Sequence, residues 1–120
     1  MSWRTRPRRG DIVRVRLDPV EGSEQAGERP ALIISPDPIN EHGPLVLLAA
    51  ITTKKVARIY PFEVGLEPPE GGLRQHSKVM LMHLRSVDKR RLTGFYGSLQ
   101  PKTMRLVDEA IKLVTGLESF

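Results

Sequence analysis

Arg29 stands directly before Pro30, where a polar, glycine-punctuated stretch beginning at Glu21 gives way to the apolar run Ala31 to Ile34. A residue before proline is held extended, so the guanidinium projects from a restricted backbone. It is a fixed fork of charged donors, suited to phosphate or carboxylate oxygens. Thr52 and Thr53 close a second apolar run, Leu45 to Ile51, and place two hydroxyls at the end of what reads as a strand. Plainer readings stand beside these. An arginine can close a strand end through a surface ion pair, and threonine favours strands for its β-branching alone. His42, His76 and His83 lack the spacing of a zinc-ligand set.

The usual catalytic signatures are missing: no H-E-x-x-H, no phosphate-binding lysine loop, no G-x-S-x-G. That absence weighs less if the substrate is RNA. RNA carries its own nucleophile, the 2′-OH beside the scissile phosphate. An enzyme need only orient it, stabilise the pentacovalent phosphorane and move two protons. Guanidinium and hydroxyl donors aimed at the developing charge supply the electrostatic part without a metal.

The chain of 120 residues has the size of one domain able to bury its own core. With 19 Lys and Arg against 14 Asp and Glu, the net charge is +5. That excess favours a polyanionic partner such as nucleic acid without establishing one. There is no cysteine, which excludes a disulfide framework and thiolate zinc and fits a reducing cytoplasm. The longest apolar run is too short to span a bilayer, so no membrane partner is expected. Residues 1–9 carry Arg4, Arg6, Arg8, Arg9 and no acid; they read as a basic N-terminal arm, either a frayed tail or an RNA-steering element, ahead of a single domain over 10–120.

Positioning these groups falls to short strands. Val13, Val15 and Leu17 alternate with Arg14 and Arg16, predicting a half-buried strand from Asp11 to Leu17. Asp18 to Glu28, with Pro19, Gly22 and Gly27, predicts a long loop of the mobile or functional kind. Ala31 to Ser35 predicts a second strand, so that Arg29 would sit at its start. Leu45 to Thr53 predicts a central third strand, followed by a basic turn, Lys54 to Arg58. Ile59 to Val64 predicts a fourth strand, at an edge or bulge because of Pro61. Ser77 to Val87 predicts another, with Val79, Leu81 and His83 on one face and Met80, Met82 and Leu84 on the other. Leu92 to Leu99 predicts a last short one. Pro101 suits a helix start, Met104, Val107, Ala110, Ile111 and Val114 form one helical face, and Gly116 ends it. The result is mainly β with helices: a small, strongly bent sheet or barrel with a C-terminal α-helix against it.

Together the segments GDIVRVRLDPVEGSEQAGERPALIIS, AAITT, YPFEV and LRSVDKRRL resemble the MazF/PemK family of toxins from bacterial toxin–antitoxin pairs. The likeness runs from about Gly10 to the C-terminal helix. It implies an SH3-like barrel and a homodimeric, cytoplasmic, metal-independent endoribonuclease that cuts single-stranded RNA at short sequences, leaving 2′,3′-cyclic phosphate and 5′-OH ends. It implies no cofactor, and a cognate MazE-like antitoxin with a disordered acidic tail. The family's arginine before proline falls on Arg29 and its threonine after AAI on Thr52, the implied catalytic pair. Its loop motif falls on Ser23, Glu24 and Gln25, which would border the RNA groove. Thr53, Lys54, Lys55, His83 and Arg85 complete the implied RNA contacts, the two lysines and Arg85 steering the phosphate backbone. Glu24 and His83 are alternative general bases.

The chain also departs from family patterns. The Kid branch has a histidine where Ser23 stands, and an arginine and an aspartate where Met80 and Met82 stand, so that branch's scheme cannot operate here. Many members have glutamine at the position of His83, which leaves base specificity open. Toxins such as CcdB share the barrel architecture and poison DNA gyrase by binding. Their C-terminal Trp-Gly-Ile is absent: this chain ends Leu117, Glu118, Ser119, Phe120, and its only tryptophan is Trp3. A non-catalytic RNA-binding barrel is a third reading.

Overall fold

The computed structural model describes residues 6–17 and 27–120. Six strands and two α-helices are found among them: β1 (Asp11–Leu17), β2 (Gly27–Ile33), α1 (Asp37–His42), β3 (Leu45–Thr52), β4 (Glu63–Leu66), β5 (Ser77–Asp88), β6 (Leu92–Ser98) and α2 (Pro101–Val114). The strands form one antiparallel sheet in the order β4-β5-β3-β2-β1-β6. The chain is thus mainly β, an SH3-like barrel with a C-terminal helix, as expected.

Apolar residues cover both faces of this sheet. Ile12, Leu32, Ala49, Ile51, Val79 and Leu81 build one cluster, which receives Val107 and Ala110 of α2. Val13, Val15, Ala31, Ile33, Val46 and Leu48 build the other. A strand buried on two faces needs apolar side chains at consecutive positions, which is why Ala31–Ile33 of β2 and Leu48–Ile51 of β3 are unbroken apolar runs. Each fully buried aliphatic side chain contributes about 1.5–3 kcal/mol by leaving water.

The sheet does not close through hydrogen bonds between β4 and β6. A 3-10 turn at Glu70–Gly72 packs against β6 instead. Backbone meets backbone there: a side chain on Gly72 would run into the Tyr96 carbonyl, and a Cβ on Gly97 would lie 2.7 Å from the Gly71 carbonyl carbon. Only glycine permits this approach.

Several boundaries differ from the sequence expectation. β2 begins at Gly27, and Arg29 pairs with Val15 of β1; it sits inside the strand, because pairing with β1 extends it through polar residues. β4 begins at Glu63, not Ile59. Tyr60 N–H donates to Glu63 Oε1 (3.0 Å) and Glu63 N–H to Tyr60 O (2.9 Å), so a turn occupies Tyr60 to Phe62. β4 pairs with β5 alone and is an edge, as Pro61 suggested. Within β5 the alternation of faces fails. The register with β3 jumps from Ala50↔Met80 to Ala49↔Leu84, so Leu81, Met82 and His83 bulge out of the ladder. Leu81 turns into the core, whereas Met82 and His83 are exposed; His83 does not share the buried face of Val79 and Leu81.

The end of the basic arm is tied to the body. Arg9 N–H donates to Asp37 Oδ1 (2.9 Å), its Nε to Ile34 O (2.9 Å), and its Nη2 lies 2.6 Å from Asp108 of α2. Arg8 N–H donates to Asp11 Oδ2 at 2.8 Å.

Candidate active site

A groove of about 840 Å³ opens where β2 and β3 separate. The ladder between them stops at Ala31↔Ala50, beside Pro30, which has no N–H to give. Arg29 and Thr52 lie two residues beyond that last pair on their own strands, and both line the groove. The strands stop pairing where these two side chains meet the groove.

Arg29, Thr52, Thr53, Lys54, His83 and Arg85 provide the polar lining. They come from β2, from β3 and the turn after it, and from β5 and its bulge. Leu17, Pro30, Ala50, Met80 and Leu84 form an apolar floor. Arg29, Lys54 and Arg85 bring positive charge, and no carboxylate lies among the described residues of the lining. Low-dielectric walls around charge of one sign focus the field and attract anions.

Thr52 is fixed by its own turn. Its Oγ1 accepts the Lys54 backbone N–H at 3.1 Å. With that lone pair engaged, the hydroxyl proton remains to be donated to an acceptor in the groove. Lys55 follows in a left-handed conformation, φ 54°, unusual for a side chain bearing Cβ. It stands in the turn and is not part of the groove wall. Behind Arg29, the Arg14 guanidinium holds the Glu28 carboxylate at 3.1 Å and donates to Thr93 O at 2.9 Å, anchoring the strand that carries Arg29.

Of the residues singled out in the sequence, the fold therefore brings Arg29, Thr52, Thr53, Lys54, His83 and Arg85 together and leaves Lys55 beside them. Ser23, Glu24 and Gln25 lie outside the described residues. The apolar floor was not expected from the sequence: Leu17 and Leu84 read as ordinary strand residues, and Met80 entered only as a departure from the Kid pattern. Among the described residues no three His, Cys, Asp or Glu side chains are grouped as metal ligands, and no helix is long and apolar enough to cross a membrane. A smaller cleft of about 340 Å³, lined by Arg6, Arg8, Asp37 and Glu41, pairs two cations with two carboxylates and lacks such a field.

The family model for PemK-like, MazF-like toxins of type II toxin–antitoxin systems matches residues 8–115. The chain is 38% identical over 113 residues to the endoribonuclease MazF of Staphylococcus saprophyticus, covering 94% of each. Among solved structures, it resembles a mycobacterial endoribonuclease in complex with its cognate antitoxin, with a TM-score of 0.77 and 25% identity over 95% of this chain and 99% of that one. A MazE–MazF complex from Deinococcus radiodurans gives a TM-score of 0.76 at 30% identity, over 93% of this chain and 97% of that one.

Proposed function

Because the chain belongs to the PemK/MazF toxin family, we propose that it is a toxin endoribonuclease, silenced by a cognate antitoxin, that cuts single-stranded RNA at short specific sequences. The observation that carries this reading is that Arg29 and Thr52 line one cationic groove without a described carboxylate.

The scissile phosphate lies between the two side chains. The adjacent 2′-OH attacks phosphorus, the bond to the 5′-oxygen breaks, and the products carry a 2′,3′-cyclic phosphate and a 5′-OH. Arg29 stabilises the phosphorane by charge-assisted donation to its equatorial oxygens; its high pKa makes it a poor base. Thr52 donates to a non-bridging oxygen while Lys54 N–H holds its oxygen in place. Lys54 and Arg85 steer the flanking phosphates, with Lys55 adding charge from the turn. Thr53 and His83 contact the RNA from the groove wall, as do Ser23, Glu24 and Gln25 from the loop before β2. Glu24 and His83 are alternative general bases. The described polar lining offers guanidinium, ammonium and hydroxyl groups and a single imidazole, His83, too few ligands to hold a catalytic divalent ion, which supports metal-independent cleavage.

The toxin acts as a homodimer in the cytoplasm. Met82, 62% exposed on the β5 bulge, offers apolar surface for a two-fold contact. An antitoxin with a disordered acidic tail suits the positive groove; the mycobacterial and Deinococcus relatives were solved with antitoxins.

Digestion of a mixed RNA by the purified protein in excess EDTA, with mapping of the new ends, tests the reading. Cleavage at a short recurrent sequence with cyclic phosphate ends is expected. A need for added Mg²⁺, or 5′-phosphate products, would overturn the mechanism.

A further inference from the structure

Lys78 carries a charge where one is costly to keep. The residue is 4% exposed, and its Nζ lies 2.9 Å from Glu63 Oε1, the side chains being 5% and 9% exposed. Lys78 Nζ also donates to Arg58 O at 3.0 Å, and Glu63 Oε1 accepts the Tyr60 N–H at 3.0 Å. The pair thus grips the far end of the segment running from Thr52 to Glu63. A buried ion pair is seldom the most stabilising choice, since apolar residues of similar volume often do as well.

Its position suggests another role. Lys78 is the cross-strand partner of Thr52, so the two side chains project from the same sheet face as neighbours. The intervening turn is fixed at its near end by Lys54 N–H on Thr52 Oγ1 (3.1 Å). It passes through left-handed Lys55 and is drawn back by Arg58 N–H to Lys55 O at 3.3 Å. Beyond that, Arg58 lies over the Tyr60 ring at 5.1 Å, and Tyr60 stacks on Phe62. Nothing in the unusual Lys55 backbone would hold itself; its neighbours over-determine it.

We propose that the buried Lys78–Glu63 pair is a positioning device for the groove. It grips Arg58 and Tyr60, so that the turn keeps Lys54 N–H on the Thr52 hydroxyl and that hydroxyl keeps its proton aimed at the RNA phosphate. Only the last clause rests on the nuclease reading. Lys78 and Glu63 touch no substrate; they act through Thr52 and Lys54.

The test replaces the pair by apolar residues, Lys78→Met with Glu63→Leu, and compares the double variant with wild type in three readouts. Thermal unfolding should stay within a few degrees. Hydrogen exchange of the Lys54 amide should speed up about tenfold or more, while amides of the β1–β2 ladder are unchanged. The cleavage rate at saturating RNA should fall about tenfold or more, with affinity for a non-cleavable analogue within about threefold. A Lys54 amide as protected as in wild type overturns the proposal whatever happens to the RNA. So does a loosened Lys54 amide with wild-type cleavage. If wild type itself cuts no RNA, the nuclease reading fails, and the Lys54 amide alone decides whether the pair orders the turn. Should the double variant not fold, Glu63→Gln keeps the volume and an acceptor but removes the charge. Lys54 exchange should then rise about threefold, and an unchanged rate overturns the proposal.

Discussion

Thr52 and Lys54 close a two-residue hydrogen-bonded turn in which the threonine hydroxyl is the acceptor and the lysine N–H the donor, 3.1 Å apart. This fixes the rotamer of a hydroxyl that would otherwise spin, and it separates two functions of one oxygen. Thr52→Ser preserves both and should retain cleavage within about tenfold. Thr52→Val keeps the shape, loses the acceptor and the proton, and should lower the cleavage rate about ten- to a hundredfold, the worth of a hydrogen bond to a charged group. Affinity for a non-cleavable RNA should change little. Single-turnover kinetics beside equilibrium binding separate the two, and wild-type cleavage by a folded Thr52→Val protein would remove Thr52 from the mechanism.

Arg29 is half-buried in the groove wall and is not among the buried charged side chains. Arg29→Ala should therefore leave the thermal midpoint nearly unchanged and reduce cleavage by roughly a hundred- to a thousandfold, the typical cost of one donor to a transition-state oxyanion. Arg29→Lys should recover only part of the loss, because an ammonium cannot present two parallel donors to a phosphate. A variant that folds and cuts at the wild-type rate would end the assignment.

RNA and an acidic antitoxin tail should compete. With three cations lining the groove, Arg29, Lys54 and Arg85, raising salt from 50 to 200 mM should weaken binding of a single-stranded analogue by about ten- to twentyfold. The antitoxin should displace the analogue and show a salt dependence of the same sign. Titration of antitoxin into the RNA-bound protein checks this; a stable ternary complex with unaltered RNA affinity would rule out a shared groove.

Glu63 makes stability depend on acid. Burial pushes its carboxyl up, but the hydrogen bonds from Lys78 and Tyr60 N–H and the nearby positive charges of Lys78 and His83 outweigh this, leaving it below its ordinary 4.5. A depressed carboxyl stabilises the fold above its unfolded value and loses that contribution as pH falls through the folded one. The gap in thermal midpoint between wild type and Glu63→Gln should be full above about pH 4.5 and shrink in more acidic buffer. A gap that stays constant down to strongly acidic pH would mean that the Lys78 contact does not favour the carboxylate.

Much of this frame is legible in the residues. The alternation of Val13, Val15 and Leu17 gives β1 its span, and the spacing of Met104, Val107, Ala110 and Ile111 gives α2 its buried face. Other features depend on long-range pairing, which local pattern does not carry. Gly27 and Glu28 look like loop, yet β1 recruits them as partners of Leu17 and Arg16. His83 looks buried by alternation until the β5 bulge turns it outward. Lys78 looks like a solvated lysine; its partner Glu63 is fifteen positions away and adjacent only once β4 lies against β5. Arg29 and Thr52 were visible as residue types, but their meeting in one groove depends on the pairing of β2 with β3 just beyond them.

The β5 bulge has an evolutionary consequence. Residues inside a ladder are constrained twice, by their neighbours and by the pairing they maintain. Met82 and His83 escape the second constraint, because the ladder resumes beyond them at Leu84. Exchanges at such exposed positions usually alter stability by no more than about 0.5 kcal/mol. Yet both line the groove. Exchanges at His83 can therefore reshape the groove wall while the strands that carry Arg29 and Thr52 are left as they are.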